Sequence, residues 1–262
     1  MLGYWMPMGV PRLPYLPPLW RESRIGFEAA QLLRSPVWRG DGVPPGDGRA
    51  VLLIPGFLAG DGSLATMTRW LRAAGYRTGR AGIRANVGCS EAACRQLEER
   101  LGRLADRSGA PVTIIGQSRG GVLAKALAAR HPELVSGIVG LGAPTRSMLR
   151  VHPLVLAQVG LVAALGTGRV PGLFTLQCLR GPCCAPFRRA LASPFPDTVG
   201  YVSIYSRSDG IVDWRACVDP AADENVEVAA SHLGMGLNRA VYEQVARVLG
   251  AGADGGELRR AA

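Results

Sequence analysis

The stretch "VTIIGQSRGGVLAKALAARHPELV", residues 112–135, decides the fold. It begins with β-branched and apolar residues and continues with alanine and leucine, which predicts a buried strand followed at once by a helix. Between the two, Ser118 lies between Gly116 and Gly120 in the pattern G-x-S-x-G. Glycines permit a turn that is too sharp for larger side chains. We therefore expect the Ser118 hydroxyl to project from the carboxyl end of a strand.

The sequence on both sides of this unit alternates between strand and helix patterns. Strands are predicted at residues 50–56, 75–85, 111–116, 135–144, 198–206 and 225–230. Helices are predicted at residues 21–35, 63–74, 91–107, 120–130 and 238–249. This alternation favours an α/β fold with a doubly wound, mostly parallel sheet of about six strands.

The predicted elements divide the chain into three parts. Residues 50–143 and 198–250 form the α/β core, and residues 1–49 form an N-terminal arm and helix that pack on it. Residues 144–197, called the cap segment below, contain apolar stretches without strand spacing, including "PLVLAQVGLVAALG". Because structureless loops of that length are uncommon, we expect a helical cap over one end of the sheet.

Composition excludes several classes of protein. The net charge is +10, but the arginines are scattered and Lys125 is the only lysine, so no nucleic-acid partner is predicted. No apolar stretch is long enough to span a membrane. The first residues lack the pattern of an export signal, which predicts a cytoplasmic protein and leaves export open. Transient contact with an anionic or lipid surface also stays open, and the oligomeric state is unknown.

The six cysteines do not form paired CxxC motifs, so no metal site is predicted. Cys89 with Cys94, or Cys178 with Cys183, are candidates for disulfides in an oxidising compartment. Buried free thiols are the alternative for all of these cysteines, including Cys184 and Cys217.

A serine nucleophile needs a general base, and only three histidines are present. His131 lies a helix length beyond Ser118, where a capping role is expected, and His152 lies in the cap segment. His232 follows the last predicted strand and therefore lies at the same sheet edge as Ser118. His232 is the predicted base.

The remaining groups follow from the same placement at strand ends. Asp209 follows the fifth predicted strand and is the preferred acid to orient His232, with Asp213 as its rival. An oxyanion needs backbone donors, and the N–H of Arg119, directly after the serine, supplies one. The N–H of Phe57, in the loop after the first strand, is the expected second donor, with Leu58 as the alternative.

The motifs "VLLIPGFLAGD", "GQSRGG", "SRSDGIV" and "SHLGMG" resemble those of the α/β-hydrolase superfamily, closest to compact bacterial lipases and esterases. The resemblance covers about residues 50–249 and implies an acyl-serine intermediate formed by Ser118, Asp209 and His232, without a cofactor. The sequence departs from the family pattern at Pro55, where many members have histidine, and at Gln117 and Arg119. The departure at Arg119 leaves open that its side chain reaches into the pocket and biases it toward polar or anionic substrates.

The expected function is cleavage of carboxylic esters, with a small-molecule or lipid ester as substrate. Fold alone does not set the substrate, so the acyl chain length stays open. An acyltransferase or a thioesterase on the same three residues is the alternative. A non-catalytic lipid-binding protein on this scaffold is less favoured, because no residue of the predicted triad is missing from the sequence.

Overall fold

A computed structural model describes residues 18–251 of the chain. Its centre is a six-stranded sheet in the order β2-β1-β3-β4-β5-β6, in which every neighbouring pair is parallel. The strands are β1 Ala50–Ile54, β2 Arg77–Arg80, β3 Val112–Gln117, β4 Val135–Leu141, β5 Gly200–Tyr205 and β6 Glu224–Glu227. This arrangement confirms the predicted α/β class and the six-stranded parallel sheet.

Eight α-helices connect or flank these strands in the described part of the chain. They are α1 Ile25–Arg34, α2 Ala65–Ala73, α3 Ser90–Ser108, α4 Arg119–Arg130, α5 Pro153–Thr167, α6 Leu176–Arg180, α7 Ala185–Ala192 and α8 Arg239–Ala251. The predicted helix at residues 21–35 is divided into a 3-10 turn, Leu19–Arg24, and α1. Strand β2 is shorter than predicted, since Gly75 and Gly82 on either side of it adopt left-handed backbone angles.

Alternating side chains of β1 enter two different cores. Val51 and Leu53 belong to one buried cluster with residues of α1, α2 and α8. Leu52 and Ile54 belong to a second cluster with residues of α3, α4 and α7. Successive residues of a strand point to opposite faces, so the continuous apolar run of β1 is what a sheet covered on both faces requires.

The cap segment is helical in the structure and contains no strand of the sheet among its described residues. Its first helix, α5, packs through Val162 and Ala163 near Phe57 and Phe174, at the carboxyl end of β1. Its last helix, α7, behaves differently, because Phe187 is buried in the sheet-facing core with α3 and α4. Helix α7 is therefore the crossover helix between β4 and β5, and the predicted cap is narrower than residues 144–197.

The described part of the predicted N-terminal region packs on the core. The Trp70 indole N–H of α2 donates to the Val37 carbonyl at 2.8 Å, and Arg49 donates to the Leu249 carbonyl of α8 at 2.8 Å. Most of the predicted arm, residues 1–17, lies outside the described residues. Within residues 18–251, no helix combines the length and the apolar character that a membrane crossing needs.

Candidate active site

Ser118 lies between β3 and α4 in a backbone conformation that non-glycine residues rarely adopt, with φ 51° and ψ −122°. A Cβ atom on Gly116 would lie 2.5 Å from the backbone of Gly120, and one on Gly120 would lie 2.2 Å from the Ile54 carbonyl oxygen. Both glycines are thus required by close backbone contact. The turn places Ser118 at the carboxyl end of a central strand, as the sequence predicts.

Asp209 and His232 are hydrogen-bonded side chains at this same sheet edge. The Asp209 Oδ2 and His232 Nδ1 atoms are 2.6 Å apart, and both side chains are buried. The other carboxylate oxygen, Oδ1, accepts the backbone N–H groups of Ile211 and Val212 at 2.7 Å each. These two amides fix the carboxylate, so that Oδ2 is presented to the imidazole.

The surroundings of His232 favour its protonated form. Burial by itself lowers the pKa of this imidazole, but the negative charge and the hydrogen bond of Asp209 outweigh it. The charge of Glu22 acts in the same direction as that of Asp209. The net result is a His232 pKa above its ordinary value, which makes the imidazole a better proton acceptor.

The serine and histidine loops are joined through neighbouring residues. The Gln117 side-chain amide donates to the His232 carbonyl oxygen at 3.0 Å. A Cβ atom on Gly142, which has φ +55°, would lie 3.2 Å from His232 Nδ1, so glycine keeps β4 clear of the imidazole. Among the described side chains, His232 is hydrogen-bonded to Asp209 and not to Ser118. Hydrogen bonds of this type often tighten only when substrate is present.

The residues considered as alternatives to Asp209 and His232 make other contacts. The Asp213 carboxylate accepts hydrogen bonds from Arg150 at 2.6 and 3.0 Å and from the backbone N–H of Arg215 at 3.0 Å. His131 lies beside acidic side chains at the end of α4, and His152 caps the N-terminus of α5. Of the two aspartates considered, Asp209 is the one at His232.

The candidate oxyanion donors lie on two segments next to Ser118. Arg119 opens α4, so its backbone N–H has no acceptor within the helix. The oxyanion loop, residues 55–59, approaches from β1: a Cβ atom on Gly56 would lie 3.2 Å from Ser118 Cβ. Phe57 in this loop forms an isolated parallel bridge with Asn86, and the Asn86 side chain donates to the Pro55 carbonyl at 2.8 Å. The alternative donor residue, Leu58, has φ +59° and an exposed side chain.

The Arg119 side chain is hydrogen-bonded to a neighbouring loop. Its guanidinium donates to the Asn86 carbonyl at 2.9 Å, the Gly88 carbonyl at 2.5 Å and the Ser90 hydroxyl at 3.1 Å. It also lies over the Phe174 ring at 5.5 Å, and burial lowers its pKa to about 10. Arg119 therefore anchors the loop of residues 86–90, whose carbonyl oxygens accept its hydrogen bonds.

Two glutamates near the start of the described chain hold the histidine loop, and neither is predicted by the sequence patterns. Glu22 accepts the backbone N–H groups of Gly210 at 2.8 Å, His232 at 3.0 Å and Leu233 at 2.8 Å. Glu28, which is fully buried, accepts the Ser231 backbone N–H at 2.8 Å and the Ser231 hydroxyl at 2.7 Å. The only local signal was Glu28, an acidic residue within the apolar pattern of α1. Such a residue does not indicate which distant group it will contact.

Four cysteines also meet near the oxyanion side of the site, although their spacing in the sequence does not predict this group. The Sγ atoms of Cys89, Cys178, Cys183 and Cys184 all lie within 4.8 Å of one another. Cys89 approaches Cys184 at 3.3 Å, and Cys94, a candidate disulfide partner of Cys89, is buried outside the group. All six cysteines are free thiols in this structure. The sequence predicts no metal site because it lacks paired CxxC motifs. The tertiary fold nevertheless brings four cysteines together from separate segments.

Solved structures of other proteins share this architecture. The mature lipase BlEst2 of Bacillus licheniformis matches with a TM-score of 0.57 at 14% identity, over 79% of this chain and 94% of that chain. Lipase B of Aspergillus fumigatus matches with a TM-score of 0.57 at 15% identity, over 77% of this chain and 52% of that chain. A variant of tomato methylketone synthase I matches with a TM-score of 0.54 at 12% identity, over 80% and 98%.

These likenesses are too distant in sequence to show more than the fold. No protein-family model matches the sequence, and no curated protein matches it. The parallel sheet and the serine turn at the end of its central strand are those of an α/β-hydrolase fold, and the structural neighbours include lipases. The predicted α/β-hydrolase fold is thereby confirmed.

Proposed function

We propose that the protein is a serine hydrolase that cleaves carboxylic esters through an acyl-serine intermediate. The observation that carries this proposal is the 2.6 Å contact between Asp209 and His232 at the sheet edge that bears the strained Ser118. A carboxylate on the imidazole Nδ1 keeps that proton in place and leaves Nε2 as the atom that accepts the serine proton. A strained serine turn at the N-terminus of α4 adds backbone donors for developing negative charge.

The reaction then proceeds in two halves. His232 takes the Ser118 proton as Oγ attacks the ester carbonyl, and the resulting oxyanion is held by the N–H groups of Arg119 and Phe57. The protonated His232 donates its proton to the leaving alcohol, which yields the acyl-serine. His232 then deprotonates a water molecule that attacks the acyl-serine, and it returns this proton to Ser118 Oγ as the acid leaves.

The apolar surface near the site favours an ester with a hydrophobic acyl group. Helix α5 carries no charged residue, and Leu154, Leu161 and Leu165 on it are exposed. Leu58 in the oxyanion loop and Leu233 beside His232 are also about half exposed, at 48% and 52%. Exposed apolar side chains in such numbers are typical of surfaces that meet apolar ligands or lipid. The lipase names among the structural neighbours agree with this substrate class.

The test is hydrolysis of p-nitrophenyl esters of increasing acyl length, together with labelling by a fluorophosphonate probe. We expect Ser118 to be labelled and hydrolysis to rise from acetyl to medium-length acyl groups. A protein that neither cleaves any ester nor reacts with the probe contradicts the proposal. Added alcohol separates acyl transfer from hydrolysis, because an acyltransferase gives the new ester as its main product.

A further inference from the structure

Four thiols from two distant segments of the chain converge at the boundary between the cap segment and the core. Cys89 precedes α3, Cys178 lies in α6, and Cys183 and Cys184 lie in the 3-10 turn Pro182–Cys184. This cysteine cluster has Sγ separations of 3.3 Å for Cys89 with Cys184, 3.6 Å for Cys178 with Cys183, and 3.9 Å for Cys183 with Cys184. No pair of its sulfurs is further apart than 4.8 Å.

These separations are those of thiolates around one metal ion. A zinc–sulfur bond is about 2.3 Å long, and a tetrahedral arrangement then places neighbouring sulfurs about 3.8 Å apart. A disulfide instead needs an S–S distance of about 2.05 Å, and two disulfides would not require all four sulfurs to be mutual neighbours. We propose that Cys89, Cys178, Cys183 and Cys184 bind one zinc ion in a structural tetrathiolate site.

The donor set selects the metal. Thiolates are soft ligands that suit zinc and iron and are poor ligands for magnesium or calcium. In iron–sulfur clusters the cysteines are distributed over two or more iron atoms, so their sulfurs lie further apart than around a single ion. The group holds four protein sulfurs, which fills a tetrahedral zinc site and leaves no position for water or substrate. The site is therefore structural and takes no part in ester chemistry.

The surroundings provide the groups that a thiolate site needs. Binding removes one proton from each of four S–H groups and forms four Zn–S bonds, so the site carries a net charge of −2. The buried guanidinium of Arg119 bonds to Gly88 and Ser90, on either side of Cys89, and supplies positive charge nearby. The N-terminus of α3 begins directly after Cys89, and the Thr175 backbone N–H donates to Cys178 Sγ at 3.4 Å.

The proposed ion links the cap segment to the oxyanion side of the active site. Cys178, Cys183 and Cys184 belong to the cap segment, whereas Cys89 belongs to the loop of residues 86–90 that Arg119 anchors. Asn86 in this same loop contacts Phe57 and Pro55 of the oxyanion loop. Zinc binding should thus hold the oxyanion loop in place without touching substrate.

The test is the metal content of the full-length protein, purified without chelators from cells grown with added zinc. We expect about one zinc ion per chain in the wild type. Cys183→Ser, at the exposed member of the cluster, and Cys89→Ser should each lose most of it. Cys217→Ala is the matched control, since Cys217 is buried outside the cluster and its loss should leave the zinc content unchanged.

A second measurement tests the proposal if Cys183→Ser and Cys89→Ser fail to fold. Cobalt added to metal-free wild-type protein should give the visible absorption of a tetrahedral tetrathiolate site. A zinc-free protein whose mass is 2 or 4 Da below that of the reduced chain would show disulfides and overturn the proposal, with each disulfide removing two hydrogens. Stoichiometric iron, or zinc retained by Cys183→Ser and Cys89→Ser, would overturn it as well. None of these outcomes depends on the proposed esterase activity.

Discussion

The two sides of the candidate active site are held by different chemistry. On the histidine side, the carboxylates of Glu22 and Glu28 bind backbone amides of the loop that carries His232. On the oxyanion side, the Arg119 guanidinium binds carbonyls of the loop that carries Cys89, where the four thiols meet. On the histidine side, carboxylates accept hydrogen bonds from backbone N–H groups. On the oxyanion side, a guanidinium donates hydrogen bonds to backbone carbonyl oxygens.

The two kinds of contact act on the proposed reaction in different ways. The imidazole becomes positive during the proposed reaction, so carboxylates near His232 stabilise that form. On the oxyanion side, the Arg119 guanidinium acts by holding the loop of residues 86–90 in position. The comparison predicts that damage to the histidine side changes pH dependence, whereas damage to the oxyanion side lowers the rate at every pH.

The largest effect is expected from Ser118→Ala, which removes the residue that both sides serve. Without a nucleophile, kcat should fall by about 10⁴ to 10⁶-fold. Steady-state hydrolysis of the best p-nitrophenyl ester measures this loss. Ser136→Ala, at an exposed position on β4, is the control and should retain wild-type activity. Comparable activity in Ser118→Ala would rule out the proposed nucleophile.

The next largest effect is expected from Asp209→Asn, on the histidine side. The substitution removes the carboxylate that is hydrogen-bonded to His232 and raises its pKa, so kcat should fall by about 10⁴-fold. Asp213→Asn is the control, because Asp213 binds Arg150 and Arg215 instead of the histidine. Equal losses in the two variants, measured at the same pH, would remove Asp209 from its proposed role.

On the oxyanion side, Arg119→Met keeps the backbone N–H and deletes the guanidinium. The carbonyls of Asn86 and Gly88 would lose their donor, and the loop beside Phe57 should shift. We expect kcat to fall by about 10 to 10²-fold at every pH, as small displacements of catalytic groups do. Arg95→Met, on the exposed face of α3, is the control. A change confined to KM would show that the side chain meets substrate after all.

The smallest effect is expected from Glu22→Gln, which removes a charge but keeps an acceptor for the loop amides. In the proposed mechanism His232 must be neutral to accept the serine proton, so activity should rise with pH through its raised pKa. Because the Glu22 charge helps to raise that pKa, the acid limb of the rate profile should move to lower pH in the variant.

Stability provides a second check on the charge of His232. A histidine whose pKa is raised by folding contributes stability that is present below its unfolded pKa and is lost as pH rises through the folded pKa. The wild type should therefore gain more stability than Glu22→Gln on going from pH 8 to pH 6, measured by urea denaturation. Glu99→Gln, an exposed change on α3, should leave both the rate profile and this difference unaltered.

Local sequence patterns were enough to predict the sheet and the residues that lie at the ends of its strands. The order of strand and helix signals predicts a parallel sheet, and parallel strands bring Ser118, Asp209 and His232 to one edge, whichever residues lie between them. Local patterns did not predict which distant groups a side chain contacts. The sequence left open where the Arg119 side chain lies, because its acceptors come from residues 86–90, about 30 positions away.

The sequence by itself determined the elements, their parallel order and the glycine-lined serine turn, because these depend on periodicity and on steric limits within a few residues. Only the tertiary structure decided that Glu22 meets His232 and that Cys89 meets Cys184, 95 positions later in the chain. Such contacts depend on where the cap segment and the N-terminal helix pack. That packing is set by buried apolar surface from the whole domain, and no local spacing records it.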